Sequence, residues 1–423
     1  MKMSPAAEDV LEPERDGAKG TETLRSVESV PGFKVAVVEA KIRDWEKPRN
    51  DLALIVADAP VSAAGIFTQN QVAAAPVKID RKHLKESGGV VRAVMVNAGV
   101  ANACTGREGR QNALKLIQRL AAKLKAPANQ VLAASTGIIG RQLPLNSMAK
   151  GLDQALTGLG QAKPGAFARA IMTTDLRPKE AGATLNDDDG AVIAGACKGS
   201  GMIAPNMATM LAFILTNAAV SPKALKAALT ETAVATFNRV SVDGDTSTND
   251  TLLILASGVT DAPVIEKPSG KRFDRFLAGL YKVSLSLSRQ IAGDGEGATK
   301  LVEIRVIGAR KNKDAAAAAR SIAESPLVKT AMFGNDPNWG RVIAALGRSA
   351  AKVLEEKVSL SLCGRRMFER GAPVKFDQAE LSKLMKSKEV KLEVDLGLGQ
   401  AEAMMLTCDF SYDYIKINAD YTT

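Results

Sequence analysis

The run Lys198-Gly-Ser-Gly-Met-Ile-Ala-Pro-Asn-Met-Ala-Thr-Met-Leu-Ala-Phe-Ile-Leu215 changes character part-way along. Its first half sets a lysine among glycines and ends in a Pro-Asn turn. Its second half, Met210 to Leu215, is an apolar run that suits a buried strand or a buried helical segment, and period alone does not separate the two. Thr209 stands at the junction, where a rigid core element would hold a hydroxyl at the rim of an irregular loop. A lone threonine in such a place is more often bonded to backbone than reactive.

Outward from this stretch, apolar runs and helical patterns interleave. Asp51-Leu-Ala-Leu-Ile-Val-Ala57, Val90-Val-Arg-Ala-Val-Met-Val96, Val131-Leu-Ala-Ala134 and Thr251-Leu-Leu-Ile-Leu-Ala256 read as buried strands. Leu116, Ile117, Leu120, Ala121 and Leu124 recur at helical spacing. Ser221-Pro222 is a cap followed by a first-turn proline, and Leu225, Ala228, Leu229, Ala233 and Phe237 continue a helix face. Further helices are expected over about Phe276–Ile291 and over the alanine-rich 314–323. Asp187-Asp-Asp-Gly190 lacks the ligand spacing of a calcium loop and reads as a hairpin turn. Val390, Leu392, Val394 and Leu396 alternate with charged residues, which predicts a half-buried antiparallel strand. Val358–Leu362 and Tyr414-Ile-Lys-Ile417 are expected to behave likewise. Residues 1–30 are polar and without period and read as a disordered leader. The pattern is that of mixed α/β layers.

Composition narrows the function classes. The chain of 423 residues is 46% hydrophobic and 24% charged, as in soluble globular proteins. No apolar run is long enough for a membrane span, because Pro205 and Asn206 break the best candidate. No signal peptide is read at the N-terminus, so the cytoplasm is the expected compartment. The net charge of +10 is spread along the chain, and aromatics make up only 4%, so a nucleic-acid surface is not indicated. A positive field that attracts carboxylate substrates fits equally well. Cys104, Cys197, Cys363 and Cys408 are too scattered for a zinc site or a disulfide framework. The single histidine, His83, lies in the basic run Arg81-Lys-His-Leu-Lys85 and reads as part of a solvated face. Covalent catalysis would therefore need a base other than imidazole, and a threonine activated by its own α-amine is one solution.

Seven further segments occur in an order that resembles one family: Gly65-Ile-Phe-Thr68, Asn97-Ala-Gly-Val-Ala-Asn102, Ser135-Thr-Gly-Ile-Ile-Gly140, Met172-Thr-Thr-Asp175, Gly293-Asp-Gly-Glu-Gly-Ala-Thr299, Phe333-Gly-Asn-Asp-Pro-Asn-Trp-Gly340 and Asn418-Ala-Asp-Tyr-Thr-Thr423. With the Lys198–Leu215 stretch they are similar to the glutamate N-acetyltransferase/ornithine acetyltransferase family of arginine biosynthesis, from about Gly32 to the last residue. The resemblance implies an αββα-type layered sandwich, as in the ornithine acetyltransferase/DmpA-like fold, with a smaller C-terminal β-rich part. It implies self-cleavage between Ala208 and Thr209, giving an α chain (31–208) and a β chain (209–423) that assemble as two copies of each. Thr209 would be the nucleophile and, through its amine, the base. Thr136 and Gly137, read as an open turn after a strand, would form the oxyanion hole. Thr173, Lys198, Thr209, Glu296, Asn418 and Thr423 would bind substrate.

The implied chemistry agrees with the residue types. An α-amine titrates at about 7.7–8.0, so part of it is neutral near pH 7 and can take the threonine proton. Lys198 can pair with a carboxylate and Glu296 with an ammonium. Expected substrates are N2-acetyl-L-ornithine and L-glutamate in ping-pong order, with acetyl-CoA a second donor in part of the family and no residue here that decides it. No metal or organic cofactor is implied. The rival enzyme is a self-processing aminopeptidase or amidase of related fold, in which water resolves the acyl-enzyme. The third class, a basic binding module, predicts salt-sensitive binding and indifference to Thr209→Ala.

Overall fold

The structure, a computed structural model, describes residues 26–185, 190–204 and 210–420. Strands β1 (Phe33–Val38), β2 (Leu52–Phe67), β3 (Val90–Val100), β4 (Val131–Ile138), β5 (Lys179–Thr184), β6 (Val192–Lys198), β7 (Leu211–Thr216) and β8 (Thr251–Ala256) form one sheet in the order β4-β3-β2-β8-β7-β6-β5, with β1 added to β2. Two neighbouring pairs, β3–β4 and β7–β8, run parallel. Each is joined by a helix, Gly106–Leu124 and Pro222–Ala235 respectively, as parallel neighbours require.

Alternation along the strands shows how the sheet is arranged, since successive side chains point to opposite faces. Ile55, Val94, Leu132 and Ala134 share one core with Ala194, Phe213, Leu215 and Leu253. Their immediate neighbours Leu54, Ala93, Met95 and Val131 pack instead with Leu116, Leu120 and Leu152 of the helices Gly106–Leu124 and Leu145–Thr157. On the other half, Ile193, Ile214 and Ile254 pack with Leu225, Leu229, Leu280 and Leu287 of the helices Pro222–Ala235 and Lys271–Gly293. The two halves of the sheet therefore face each other across a common core, each backed by helices. This is the αββα arrangement expected. β2 links the halves: Leu52–Val56 lies between β1 and β3, the register to β3 shifts between Val56 and Val61, and Ser62–Phe67 pairs with β8.

A second sheet follows, built from β9 (Leu301–Ala309), β10 (Ser359–Leu362), β11 (Arg365–Glu369), β12 (Ala372–Pro373), β13 (Glu389–Asp395) and β14 (Ala401–Cys408) in the order β12-β11-β10-β13-β9-β14. Its apolar side packs on the helix Asn312–Ala323 and its successors. This is the expected β-rich C-terminal part.

Several expectations need correction. β13 is half-buried, as its alternation predicts, but it runs antiparallel only to β10 and parallel to β9. Tyr414–Ile417 is not a strand: it lies in the helix Tyr412–Asp420, which opens where the Ser411 hydroxyl accepts the Asp413 N–H at 3.1 Å. Residues 1–25 lie outside the described residues, but the packed body already includes Val27 and Val30, ahead of residue 31, since both are buried in the shared core. His83 is buried, not solvated, with Nδ1 3.0 Å from the Val131 carbonyl. Asp80, one turn earlier on the same helix face, accepts the Ala133 N–H at 2.9 Å. The hairpin expected at Asp187–Gly190 falls mostly outside the described residues; the antiparallel pairing of β5 with β6 on either side fits it.

Phe213 fills the middle layer, fully buried and edge-on to Phe167 with ring centroids 5.3 Å apart. Phe213→Ala should lower the unfolding free energy by about 3–5 kcal/mol, read from denaturant titration.

Candidate active site

Six of the residues singled out in the sequence line one cavity of about 160 Å³: Thr136, Gly137, Thr173, Lys198, Glu296 and Asn418. They come from the end of β4, the loop before β5, the end of β6, the loop after the helix Lys271–Gly293, and the last described helix. Ala208, Thr209 and Thr423 lie outside the described residues. The chain resumes at Met210, whose N–H donates to Asp250 Oδ1 at 3.1 Å, and Leu211 pairs with Lys198 across β6 and β7. A larger open groove of about 840 Å³ lies between the helix Ala75–Glu86 and the start of the helix Pro222–Ala235. Two of its four cations already serve backbone carbonyls, Lys226 that of Gly65 and Arg81 that of Thr68. The smaller cavity gathers the residues singled out in the sequence.

Thr136 and Gly137 are not an open turn but lie within β4, just before its last residue Ile138, paired in parallel with Ala98 and Gly99. Gly137 has φ +129°, and a Cβ there would run into the Gly99 backbone, so only glycine fits both conformation and space. Side-chain amides pin these strand ends. Ser135 Oγ donates to Asn97 Oδ1 at 2.6 Å, and Asn249 Nδ2 donates to the carbonyls of Ala101 and Ser135 at 2.6 and 2.8 Å.

Lys198 is buried, and its Nζ donates to Thr136 Oγ1 at 3.1 Å. Burial pulls its pKa below the ordinary lysine value, against the opposing pull of Asp175 and with added repulsion from Lys179. Glu296 lines the same cavity and acts on Lys198 as an opposing charge. Its Oε2 accepts from Asn418 Nδ2 at 3.1 Å, and its carboxyl group lies against Gly201, where any Cβ would collide with it.

The loops carrying these side chains are held by buried carboxylates. Asp175 Oδ1 accepts from Lys179 Nζ at 2.6 Å and from the Gly199 N–H at 2.7 Å, while Oδ2 accepts the Thr173 N–H at 3.0 Å. Burial alone would raise the Asp175 pKa, but Lys198, Lys179 and these donors outweigh it and bring it down to about 2. Asp243, also lining the cavity, accepts the N–H groups of Met202 and Ile203 at 2.6 and 2.8 Å. It thereby holds Met202 in a left-handed conformation, φ +57°. Burial raises its pKa to about 6 in spite of these donors. Asp250 is fully buried, and burial pushes its carboxyl well above the usual range.

Asp243, Asn249, Asp250, Lys179 and Asp294 were not assigned from sequence. The one available signal was the density of polar residues in Ser241-Val-Asp-Gly-Asp-Thr-Ser-Thr-Asn-Asp250, ahead of a fully apolar strand. Among the described residues, no group of three or more His, Cys, Asp and Glu side chains could hold a metal ion.

The sequence pattern described as the ArgJ family matches residues 34–423. The arginine biosynthesis bifunctional protein ArgJ of Geobacter sulfurreducens is 46% identical over 398 residues, covering 93% of this chain and 100% of that protein. The protein of the same name from Dehalococcoides mccartyi is 45% identical over 399 residues, covering 94% and 97%. The crystal structure of arginine biosynthesis bifunctional protein ArgJ from Bacillus halodurans is 38% identical, with a TM-score of 0.48, and covers 49% of this chain and 98% of that one. With relatives this similar aligned over nearly their whole length, and a family match that reaches the last residue, the chain belongs to the ArgJ family.

Proposed function

We propose that this chain is an acetyltransferase of arginine biosynthesis that cleaves itself between Ala208 and Thr209 and then carries acetyl on Thr209 from N2-acetyl-L-ornithine to L-glutamate. The observation that carries this reading is the convergence of hydroxyl, glycine N–H, ammonium, carboxylate and amide from five separate segments on one small cavity. The described chain resumes next to it, one residue after the threonine, with Leu211 opposite Lys198.

Each group has a task that follows from its contacts. Because Lys198 donates to the Thr136 oxygen, the Thr136 proton is free to point at a second acceptor. With the Gly137 N–H it would stabilise the oxyanion that forms when the Thr209 oxygen attacks the acetyl carbon. The Thr209 amine takes the hydroxyl proton and returns it to the departing ornithine nitrogen as the carbon–nitrogen bond breaks, leaving the acetyl ester. Glutamate's amine then attacks that ester, its proton passes to the same Thr209 amine, and the threonine oxygen leaves as the carbon–oxygen bond breaks, taking that proton from the amine to regenerate the hydroxyl. His83 plays no part, since it is spent on the Val131 carbonyl. Lys198, with Glu296 and Asp243 in the same cavity, complements a ligand that bears both a carboxylate and an ammonium. Glutamate and N2-acetylornithine both meet that description. Thr173 and Thr423 are assigned to the polar ends of the same ligand, and the working assembly to two copies of each fragment. No described helix is long and apolar enough to cross a membrane, and we place the reaction in the cytoplasm.

Denaturing electrophoresis with N-terminal sequencing should give two fragments, the second starting at Thr209. Thr209→Ala should give one intact chain without acetyl transfer; an intact wild-type chain with full activity would overturn the processing claim. If free acetate rather than N-acetylglutamate accumulates, the enzyme is a hydrolase. Thr136→Val should lower kcat by about 10²–10³-fold with a smaller effect on KM, as for loss of one oxyanion donor. Asp243, with Asp245 and Glu296 nearby, becomes anionic as pH rises through about 6. KM for N2-acetylornithine, whose side chain is an ammonium, should therefore fall between pH 5 and 7, and Asp243→Asn should flatten that dependence in steady-state kinetics.

A further inference from the structure

Beneath the cavity lies a buried cluster for which the acetyl-transfer steps have no use. Lys179, 1% exposed, donates to Asp175 Oδ1 and to Asp294 Oδ2, both at 2.6 Å. Asp294 Oδ2 also accepts the N–H groups of Leu176 and Arg177 at 3.1 and 3.3 Å. The Asp294 carbonyl accepts from Ser200 Oγ at 2.8 Å, and the Ser200 carbonyl accepts the Glu296 N–H at 2.9 Å. Asp175 meanwhile holds the N–H groups of Thr173 and Gly199. One ammonium thus sits at the crossing of the three loops that present Thr173, Lys198 and Glu296.

The same contacts decide how Lys198 is paired. Both Asp175 oxygens are occupied, by Lys179 and two backbone N–H groups, and among the described residues no carboxylate lies within salt-bridge distance of Lys198. The charged groups that act on Lys198 are Asp175, Lys179, Glu296 and Asp250. Among the carboxylates Asp175 acts on Lys198 most strongly, ahead of Glu296 and Asp250, which makes it the main internal competitor for the Lys198 ammonium. Asp175 thus stands between two ammoniums, paired with Lys179 and acting on Lys198, while Asp294 is paired with Lys179. Removing one partner from such a group leaves an uncompensated charge that re-pairs with whatever is nearest.

We propose that Lys179 is a positioning residue of the acetyl-transfer site: by holding Asp175 and Asp294 together it locks the three loops in register and keeps Asp175 from pairing with Lys198, so that the substrate carboxylate becomes the counter-ion of Lys198. This rests on Lys198 being the carboxylate-binding residue.

Two double variants with the same net charge separate this role from general support of the fold. In K179M/D294N the remaining pair is Asp175 and Lys198, which close on each other and shut out the substrate carboxylate. In K179M/D175N the carboxylate left in the cluster is Asp294, which in the native chain is paired with Lys179 and not with Lys198, and the ammonium stays open to ligand. Both variants lose kcat through the loosened loops. KM for N2-acetylornithine in K179M/D294N should nevertheless exceed that in K179M/D175N by about tenfold, a loss of ground-state binding. Equal KM values, or the reverse order, overturn the proposal. If the methionine variants fail to fold by circular dichroism, the same pair built on Lys179→Gln, which keeps a hydrogen-bond donor in place, gives the same comparison. Lys198→Met in the otherwise native chain is the control. If it leaves KM unchanged, the carboxylate-binding reading of Lys198 is wrong; if it raises KM while the double variants do not differ, only the role of Lys179 is wrong.

Discussion

Strand β2 carries a constraint that the whole molecule obeys. Its first half hydrogen-bonds to β1 and β3 and its second half to β8, so a single strand belongs to both halves of a sheet that closes over its own apolar face. The strands at the centre of the sheet must then be apolar on two sides, one for the shared middle layer and one for a helical cover. This explains why Leu211–Thr216 and Thr251–Ala256 are buried at every position and lack the alternation of a half-exposed sheet. It also leaves little tolerance at the strand ends. Gly99 and Gly137 approach so closely that neither polar nor apolar side chains would fit at Gly137.

The site inherits its electrostatics from this burial. An isolated charge moved into such surroundings costs several kcal/mol, so charges persist only where they compensate one another. Asp250 accepts the Met210 N–H and feels Lys198, but it makes no ion pair among the described residues, and burial raises its pKa well above the usual range. Asp175 is just as deeply placed, but two lysines keep it ionised. Lys198 falls between these cases: desolvation weakens its hold on a proton, and its neighbours only partly restore it. Depth is similar for all three; the nearest opposite charge separates their behaviour.

How much of this could be read beforehand depended on whether the signal was local. Thr251–Ala256 matched its strand at both ends, and the Ser221 cap was where its side chain foretold, accepting the Ala224 N–H. The run at Met210–Leu215, ambiguous between strand and helix, was resolved only by its partners β6 and β8. Tyr414–Ile417 misled because four residues of alternation suit either state, and the helix that forms there buries no side chain that could have marked a face. His83 was masked by its basic neighbours, although Asp80 three residues earlier shares its buried side. Within the site, residues inside motifs could be found. The Lys179–Asp294 contact spans 115 positions, and no window along the chain contains it.

The strand order has one more implication. β7 and β8, which follow the proposed cut, lie between β2 on one side and β6 on the other, and both of those precede it. A break ahead of Thr209 would therefore leave two polypeptides interleaved like the fingers of clasped hands, each supplying the hydrogen-bonding edges and the wall of the interior that the other needs. Neither piece could depart without tearing the middle out of the sheet. Once the molecule has folded, the severed peptide bond is no longer what joins its two parts.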